Sequence, residues 1–328
     1  TLSSSKVIKN NKFRKVVHQF FPIDNSYLIK NFLDYWKPSK ALFVDSEFWP
    51  NTIINLKKKK IPIFLINGRI TNKTFRRWKK IPNFSRKIFS NFDLCLSSSK
   101  ESYKYLKKLN FKKVKFFGNL KYSQAESENL DINENLKNFL SSKKVWCASS
   151  THDSEEIFIG QAHKILKKKV KNLVTIVIPR HIERCNDIKK DLEKIDLKVH
   201  IDEPKKKIKP GTDIYLVNTY GKTKLFYKNC NIIFLGGSLI NHGGQNPLEA
   251  ARFGCSIISG YNVDNFREIY KYLRKNNISI YIKNKQDLVN KLIVLLKRKD
   301  SPNKIKNKIK IIGDQILKKT YDELFVKN

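Results

Sequence analysis

Methionine is absent from the 328 residues, glycine is scarce at 12, and arginine supplies only 11 of the 67 basic residues. The five cysteines form no C-x-x-C pair. Scattered, odd in number and mostly on apolar stretches, Cys95, Cys147, Cys185, Cys230 and Cys255 read as small buried hydrophobes in a reducing compartment. The six histidines show no metal-ligand spacing, so neither a metal nor any other cofactor is expected. No apolar run reaches the roughly 18 residues that a bilayer span needs, and no signal peptide opens the chain. A soluble or peripheral protein on the cytoplasmic side is the expectation. Missing methionine, in a chain that starts at Thr1, fits a segment whose own start lies upstream.

Acidic residues are also few, 29 against 67 basic, for a formal net charge of +38. Such a balance suggests a polyanion, either nucleic acid or an anionic membrane surface. The excess is nearly all lysine, accompanied by abundant asparagine and isoleucine, which is the drift of an AT-rich genome and mostly a solvated surface. A nucleic-acid reader favours arginine for bidentate contacts, and neither zinc-finger spacing nor a basic-helix pattern occurs. No nucleic-acid partner is expected, and a nucleic-acid-binding protein ranks last among the readings. Where arginine does appear, it is expected to do what lysine cannot: Arg69, Arg180 and Arg184 each follow a predicted strand.

The scarce glycine is concentrated. Gly236, Gly237, Gly243 and Gly244 fall within nine residues and lead into Gln245-Asn246-Pro247-Leu248-Glu249. A buried strand, Asn231 to Leu235, precedes them, and a helix over Pro247 to Phe253 follows with proline in its first turn. Strand, glycine loop and helix start together form an anion-binding geometry, because bare glycine lets main-chain amides approach a phosphate that the helix end also favours. A nucleotide or phosphosugar is therefore expected at residues 236 to 249.

Short apolar runs alternate with helical periodicity along the chain. Ala41–Val44, Ile63–Ile66, Leu94–Leu96 and Val114–Phe117 form a first set. Val145–Ala148, Leu173–Ile178, Leu197–His200, Ile214–Val217, Ile232–Leu235, Ser256–Ile258 and 278–282 form a second. This alternation predicts an α/β protein of two Rossmann-like domains, with parallel sheets covered on both faces and ligands at the carboxyl ends of the strands. The expected boundaries are 1–122 for the first domain, 123–140 for a polar linker, 141–299 for the second domain and 300–328 for a terminal helix, on the surface or packed back on the first domain.

Polar residues gather at the predicted strand ends: Asp45 to Pro50, Asn67-Gly-Arg69, Ser149 to Glu156, Pro179 to Arg184 and Asn218 to Gly221. Ser150 or Thr151 is expected to cap the helix that carries Glu155 and Glu156 while also facing the ligand. Arg180 and Arg184 fit either local carboxylates or, more in keeping with a glycine loop, a phosphate held by a planar guanidinium. Trp49 fits core packing as well as a ligand contact. Asp45 and Glu47 alternate on an extended segment and should point opposite ways.

In order, Asp45-Ser-Glu-Phe-Trp-Pro-Asn51, Asn67-Gly-Arg-Ile70, Gly118-Asn-Leu-Lys121, Ser150-Thr-His-Asp-Ser-Glu-Glu156, Pro179-Arg-His181 with Arg184, Gly236-Gly-Ser-Leu239, Gly243-Gly-Gln-Asn-Pro-Leu-Glu249 and Asn265-Phe266 resemble the motifs of the bacterial 3-deoxy-D-manno-octulosonic acid (Kdo) transferases. The resemblance runs over essentially the whole chain. It implies a GT-B glycosyltransferase that moves Kdo from CMP-Kdo to a lipid A precursor, with inversion and no obligatory metal, at the cytoplasmic face of the inner membrane.

On the donor side it implies that Arg180 and the amides around Gly236, Gly237 and Ser238 hold the phosphate and that Glu249 takes the ribose hydroxyls. His181, Thr151, Asn246, Asn119 and Lys121 would complete the donor pocket. On the acceptor side it implies Trp49, Asn67 and Arg69, with Glu47 in positioning or acid–base support and the main base upstream of this chain. Three departures stand out: Gln245 replaces the family's usual histidine, Asn218 its usual Asp and Lys222 its usual acid. Basic stretches such as Lys57–Lys60 with Arg76, Arg77, Lys79 and Lys80 would dock an anionic membrane. The alternative on the same scaffold is a UDP-sugar transferase or epimerase.

Overall fold

The computed structural model describes residue 8 and residues 15–124, 131–203, 206–298 and 302–326. The chain groups into two units, residues 1–120 with 316–328, and residues 121–315.

In the N-terminal unit, β1 (Ala41–Val44), β2 (Ile63–Gly68), β3 (Leu94–Ser97) and β4 (Val114–Phe116) form a parallel sheet in sequential order. Central β2 is buried along most of its length, which is why it reads as an unbroken apolar run. One sheet face packs Phe43, Leu65 and Cys95 against Ile53, Leu56, Ile88 and Phe89 from the crossover helices Pro50–Lys58 and Pro82–Phe89. Stacking of Phe89 on Phe111, with centroids 4.8 Å apart, adds a specific ring geometry to that core.

On the opposite face, Phe64, Leu94 and Leu96 are covered by Leu324. Leu324 belongs to a π-helical turn, Asp322–Val326, that continues the terminal helix Pro302–Tyr321. The polar terminal stretch thus ends inside the N-terminal unit. Its buried Glu323 pairs with Lys115 and, at 3.9 Å, with Lys113.

A parallel sheet of seven strands builds the C-terminal unit: β5 (Lys144–Thr151), β6 (Leu173–Pro179), β7 (Val199–Ile201), β8 (Ile214–Leu216), β9 (Ile232–Leu235), β10 (Ser256–Ser259) and β11 (Ser279–Tyr281). Their order is β11-β10-β9-β5-β6-β8-β7. From β5 the chain builds outward on one side through β6, β8 and β7, then crosses back to lay β9, β10 and β11 on the other. The reversal makes the carboxyl ends of β5 and β9 a topological switch point, where doubly wound sheets bind ligands. Trp146, Ala148, Val177, Ile214, Phe234 and Ile258 anchor the core beneath it, packed with Ile159 and Leu166 of the helix Glu155–Lys167.

The α/β architecture read from the alternation is the one observed, with three local differences. First, β5 runs three residues past Ala148, so Ser149 to Thr151 lie on the strand, with an irregularity at Ser150, whose φ of 56° is left-handed. Second, neither Ser150 nor Thr151 caps the following helix; Ser154 holds the cap position in a left-handed conformation and makes no capping hydrogen bond. Third, within the expected linker, residues 125–130 lie outside the described residues, and Glu134–Leu140 forms a helix capped by Asn133.

Candidate functional site

At the switch point, β5 and β9 deliver their ends side by side. The amide of Gly236 donates to Ser149 O at 2.9 Å and that of Arg180 to Thr151 O at 2.9 Å, so the ends of β5, β6 and β9 are stitched together. Only glycine fits at 236: a Cβ there would lie 2.4 Å from Ser150 O and 2.6 Å from Thr151 Cα, both main chain. Gly237 follows at a φ of 63°, the left-handed region that favours glycine.

The loop so formed does gather amides, and a carboxylate of the protein itself occupies them. Glu155, 1 % exposed, accepts from the amides of Gly237 at 2.7 Å, Ser238 at 3.2 Å, Leu239 at 3.0 Å and His152 at 3.0 Å. The sequence predicts a phosphate in this loop; in this conformation its anion is Glu155, and the Gly236 amide belongs to Ser149. Ser238 is likewise engaged, its hydroxyl donating to Leu235 O at 2.5 Å and accepting from the Gly260 amide at 2.9 Å, while buried completely. These bonds tie the ends of β9 and β10 and leave the Ser238 hydroxyl structural. The Thr151 hydroxyl is fully buried as well.

The two arginines after β6 separate in role. Arg184 pairs with carboxylates, Asp153 at 2.6 Å and the buried Glu156 at 3.2 Å, the local one of the two alternatives. Burial holds the Glu156 carboxyl above its ordinary range despite that arginine. Arg180 is exposed, and its guanidinium makes no ion pair among the described residues. His181 next to it is exposed and lies 3.3 Å from Glu183.

The second glycine pair is fastened by Asn265, whose amide donates to Gly243 O at 3.1 Å and whose side chain donates to His242 O at 3.2 Å. Asn246 turns its side-chain oxygen to the Leu248 amide at 3.2 Å, an Asx-type start for the short helix Leu248–Arg252. Pro247 stands just before that helix. Glu249, in its first turn, is partly exposed and 3.7 Å from Lys224 Nζ. Lys121 lies at the other end of the helix, its carbonyl accepting from Arg252 at 2.7 Å. Lys222, read as a reversal of local charge, is compensated: its ammonium lies 2.7 Å from the buried Asp202, which also accepts from Tyr215 at 2.6 Å. Asn218 accepts from the Thr219 hydroxyl at 3.2 Å.

In the N-terminal unit the strand ends carry a second polar group. Asp45 and Asn67, at the ends of β1 and β2, both adopt left-handed backbone, with φ of 57° and 52°. The segment is a turn rather than the extended run expected from alternation. Asn67 donates to the Asp45 carboxylate at 2.5 Å and accepts from the Leu120 amide at 3.0 Å. Arg69 contributes main chain here, its amide donating to Asp45 O at 3.0 Å and its carbonyl accepting from Ser46 at 2.5 Å. Asp and Asn are the side-chain-bearing types that tolerate left-handed backbone, and one side-chain hydrogen bond joins the two strand ends here.

Glu47 is exposed and accepts from Trp49 Nε1 at 2.9 Å; Trp49, 39 % exposed, leans on Phe21 at 5.8 Å. Asp24, to which the sequence reading gave no role, serves the adjoining helix Pro50–Lys58 by accepting from the amides of Asn51 at 3.0 Å and Thr52 at 2.8 Å. Asn119 belongs to the same unit as Asn67, by the division at residue 120. Among the described residues, no group of three or more His, Cys, Asp or Glu is arranged to hold a metal ion, and no helix is long and apolar enough to cross a membrane.

Residues 1–124 match a family model described as 3-deoxy-D-manno-octulosonic-acid transferase (kdotransferase). A 3-deoxy-D-manno-octulosonic acid transferase from Rickettsia bellii is 34 % identical over 301 residues, covering 90 % of this chain and 71 % of that protein. Another, from Rickettsia felis, is 34 % identical over 307 residues, covering 92 % of this chain and 64 % of that protein, so the chain spans about two thirds of the length of such relatives. The crystal structure of UDP-GlcNAc 2-epimerase from Neisseria meningitidis, bound to UDP-GlcNAc, superposes with a TM-score of 0.57 over 96 % of this chain and 88 % of that one, at 15 % identity, and so shares the fold alone.

Proposed function

This chain belongs to the 3-deoxy-D-manno-octulosonic acid transferase family, and from that premise we propose that it is an inverting glycosyltransferase, carrying Kdo from CMP-Kdo to a lipid A precursor. The observation that carries the reading is the 34 % identity maintained across 90 % of the chain, in company with an exposed Arg180 just after β6 and Glu249 in the first turn of the helix that follows the second glycine pair. In the proposed step an acceptor hydroxyl attacks the anomeric carbon of Kdo, and the bond from that carbon to the phosphate oxygen breaks. CMP departs with the electron pair, and the hydroxyl proton passes to a base.

The residues divide that work as follows. Arg180, exposed and without a carboxylate partner among the described residues, takes the CMP phosphate through paired hydrogen bonds and stabilises the charge that develops on it. Glu155 keeps the loop in shape and leaves the phosphate to side chains. Glu249 receives the ribose hydroxyls, held ready by Lys224. Glu47, oriented by Trp49, supports acceptor deprotonation. No obligatory metal is invoked, because a guanidinium serves the leaving group directly.

Peripheral attachment to the cytoplasmic face of the inner membrane completes the reading. The helix Asn72–Lys79 and the turn after it present Arg76, Arg77, Lys79 and Lys80 beside the exposed Ile81 and Phe84, a basic and apolar mixture suited to an anionic surface. Lys57 and Lys59 contribute less, being paired with Asp93 and Asp34. The experiment is an assay of Kdo transfer from CMP-Kdo to a lipid A precursor, with and without EDTA, together with melting curves in CMP and in UDP. Transfer that survives EDTA and a melting temperature raised by CMP are expected. Stabilisation by UDP and not CMP would overturn the reading.

A further inference from the structure

Three of the six histidines gather with His152 at their centre, beside the first glycine pair. His152, just after β5, lies 4.3 Å from His242 and 6.0 Å from His181, centroid to centroid. Gly237 makes the room for them: a Cβ there would stand 3.2 Å from His152 Cε1 and 3.2 Å from His242 Cδ2. Of the three, only His181 has a donor-side role above; His152 and His242 have none, although they adjoin the loop that Glu155 holds.

The His152 ring is fastened at one edge only. Its Nδ1 is 3.1 Å from the carbonyl oxygen of Ser150, a group that only accepts, so Nδ1 carries the proton in the neutral ring. Nε2 is then a bare acceptor. It is buried and makes no hydrogen bond among the described residues, on a side chain only 10 % exposed. Buried polar atoms in native proteins are nearly always satisfied, so an imidazole nitrogen left over beside a ligand loop points to a ligand donor.

We propose that Nε2 of His152 accepts a hydrogen bond from a hydroxyl of the nucleotide-linked sugar, and that His152 thereby orients that sugar on the glycine loop. The proposal rests on the nucleotide-sugar reading of this site. Four groups face the ring: His242 from the second glycine loop, His181 after β6, the Glu155 carboxylate 3.9 Å from Nδ1, and the Ser150 carbonyl. Burial, and next the neighbouring His242, hold the imidazole below its ordinary pKa, so the acceptor form is the one present at neutral pH. A hydroxyl suits that form. An anionic oxygen would need the doubly protonated ring and would bind better as pH falls.

The test is calorimetric titration of the full chain with CMP and with CMP-Kdo between pH 5 and 8, for wild type, His152→Leu and His152→Gln. The His152→Leu variant is expected to bind CMP-Kdo about tenfold more weakly while CMP changes by less than about twofold. His152→Gln, whose side-chain oxygen reaches the place of Nε2, should restore most of the loss. In wild type, CMP-Kdo affinity relative to CMP should decline as pH falls below the lowered His152 pKa, and His152→Leu should lose that decline. Equal weakening of both ligands, unchanged binding in His152→Leu, or CMP-Kdo affinity that rises toward acid would overturn the inference. The wild-type pH profile decides the matter even if the leucine variant does not fold. Binding of neither ligand by wild type would instead sink the nucleotide-sugar reading on which the inference rests.

Discussion

In the C-terminal unit, Glu155, Asp202 and Asp213 are each 5 % exposed or less, and every one is surrounded by donors from distant parts of the chain. Residues 15–120 of the N-terminal unit bury no carboxylate at all and leave large apolar groups outside, with Ile23 and Tyr35 each 79 % exposed and Phe20, Phe21 and Trp36 partly so. The difference teaches where specificity is stored. One unit fixes its ligand loop with internal charge, whose removal leaves unpaired donors in a low-dielectric setting. The other relies on packing, on the Asp45–Asn67 bond at its strand ends and on a single buried carboxylate, Glu323 of the terminal turn, and presents an apolar and basic surface to its surroundings.

Removing the central charge is the severest way to break this comparison. Glu155→Ala strands the four main-chain amides that it serves, and chemical denaturation should show a loss of about 3–5 kcal/mol. Asn67→Ala, at the corresponding strand ends of the N-terminal unit, should cost about 1–2 kcal/mol. If the two losses are equal, the contrast in how the units are held does not stand.

Surface chemistry gives the next largest effect. Neutralising Arg76, Arg77, Lys79 and Lys80 together should weaken binding to anionic liposomes by roughly 1 kcal/mol per charge near the surface. Neutralising Lys189, Lys190, Lys206 and Lys209 of the other unit should leave sedimentation with vesicles nearly unchanged. Equal losses from the two sets would show that the apolar surroundings of Ile81 and Phe84 confer nothing.

Asp213 offers a quieter test of internal charge. Burial alone would raise its carboxyl; the His163 ring 3.4 Å away, with hydrogen bonds from Lys167 and the Lys198 amide, outweighs burial and holds it well below the ordinary value. A depressed pKa stabilises the fold above the unfolded carboxylate value, about 3.9, and that stability is lost as pH falls below it. Asp213→Asn should therefore cost about 2 kcal/mol at pH 7, and the gap from wild type should close on titration below about pH 4. A gap that stayed constant to pH 3 would assign the loss to shape and not charge.

Strand placement was legible because buried parallel strands write themselves as apolar runs: Ile63 to Ile66 and Ile232 to Leu235 need no partner to be recognised. The glycine loop was legible for the same local reason. Its occupant was not, because Glu155 lies 82 residues before Gly237 and reads, in sequence, as an acidic first turn. Lys222 shows the same limit. Alone it is a charge reversal; Asp202, 20 residues earlier, answers it only once β7 and β8 have paired. His152 lies in the Ser150–Glu156 motif, and its unpartnered nitrogen becomes visible only when its surroundings are known. The turn at Asp45 escaped because Asp is enriched at positive φ but adopts it in few of its occurrences, so the residue type alone does not mark the turn.

The smallest expected effect sharpens the comparison most finely, because it touches the N-terminal unit without touching its stability. Trp49→Phe keeps an aromatic ring against Phe21 and removes only the indole N–H that Glu47 accepts at 2.9 Å. Loss of one exposed hydrogen bond to a charged acceptor is worth about 1 kcal/mol, so transfer assays should show kcat/KM reduced roughly fivefold. The affinity for CMP should not move, since Arg180 and Glu249, which take the phosphate and the ribose, both belong to the C-terminal unit. A rate loss accompanied by an equal loss of CMP affinity would mean that the two units do not divide donor from acceptor, and the contrast drawn between them would then describe architecture only.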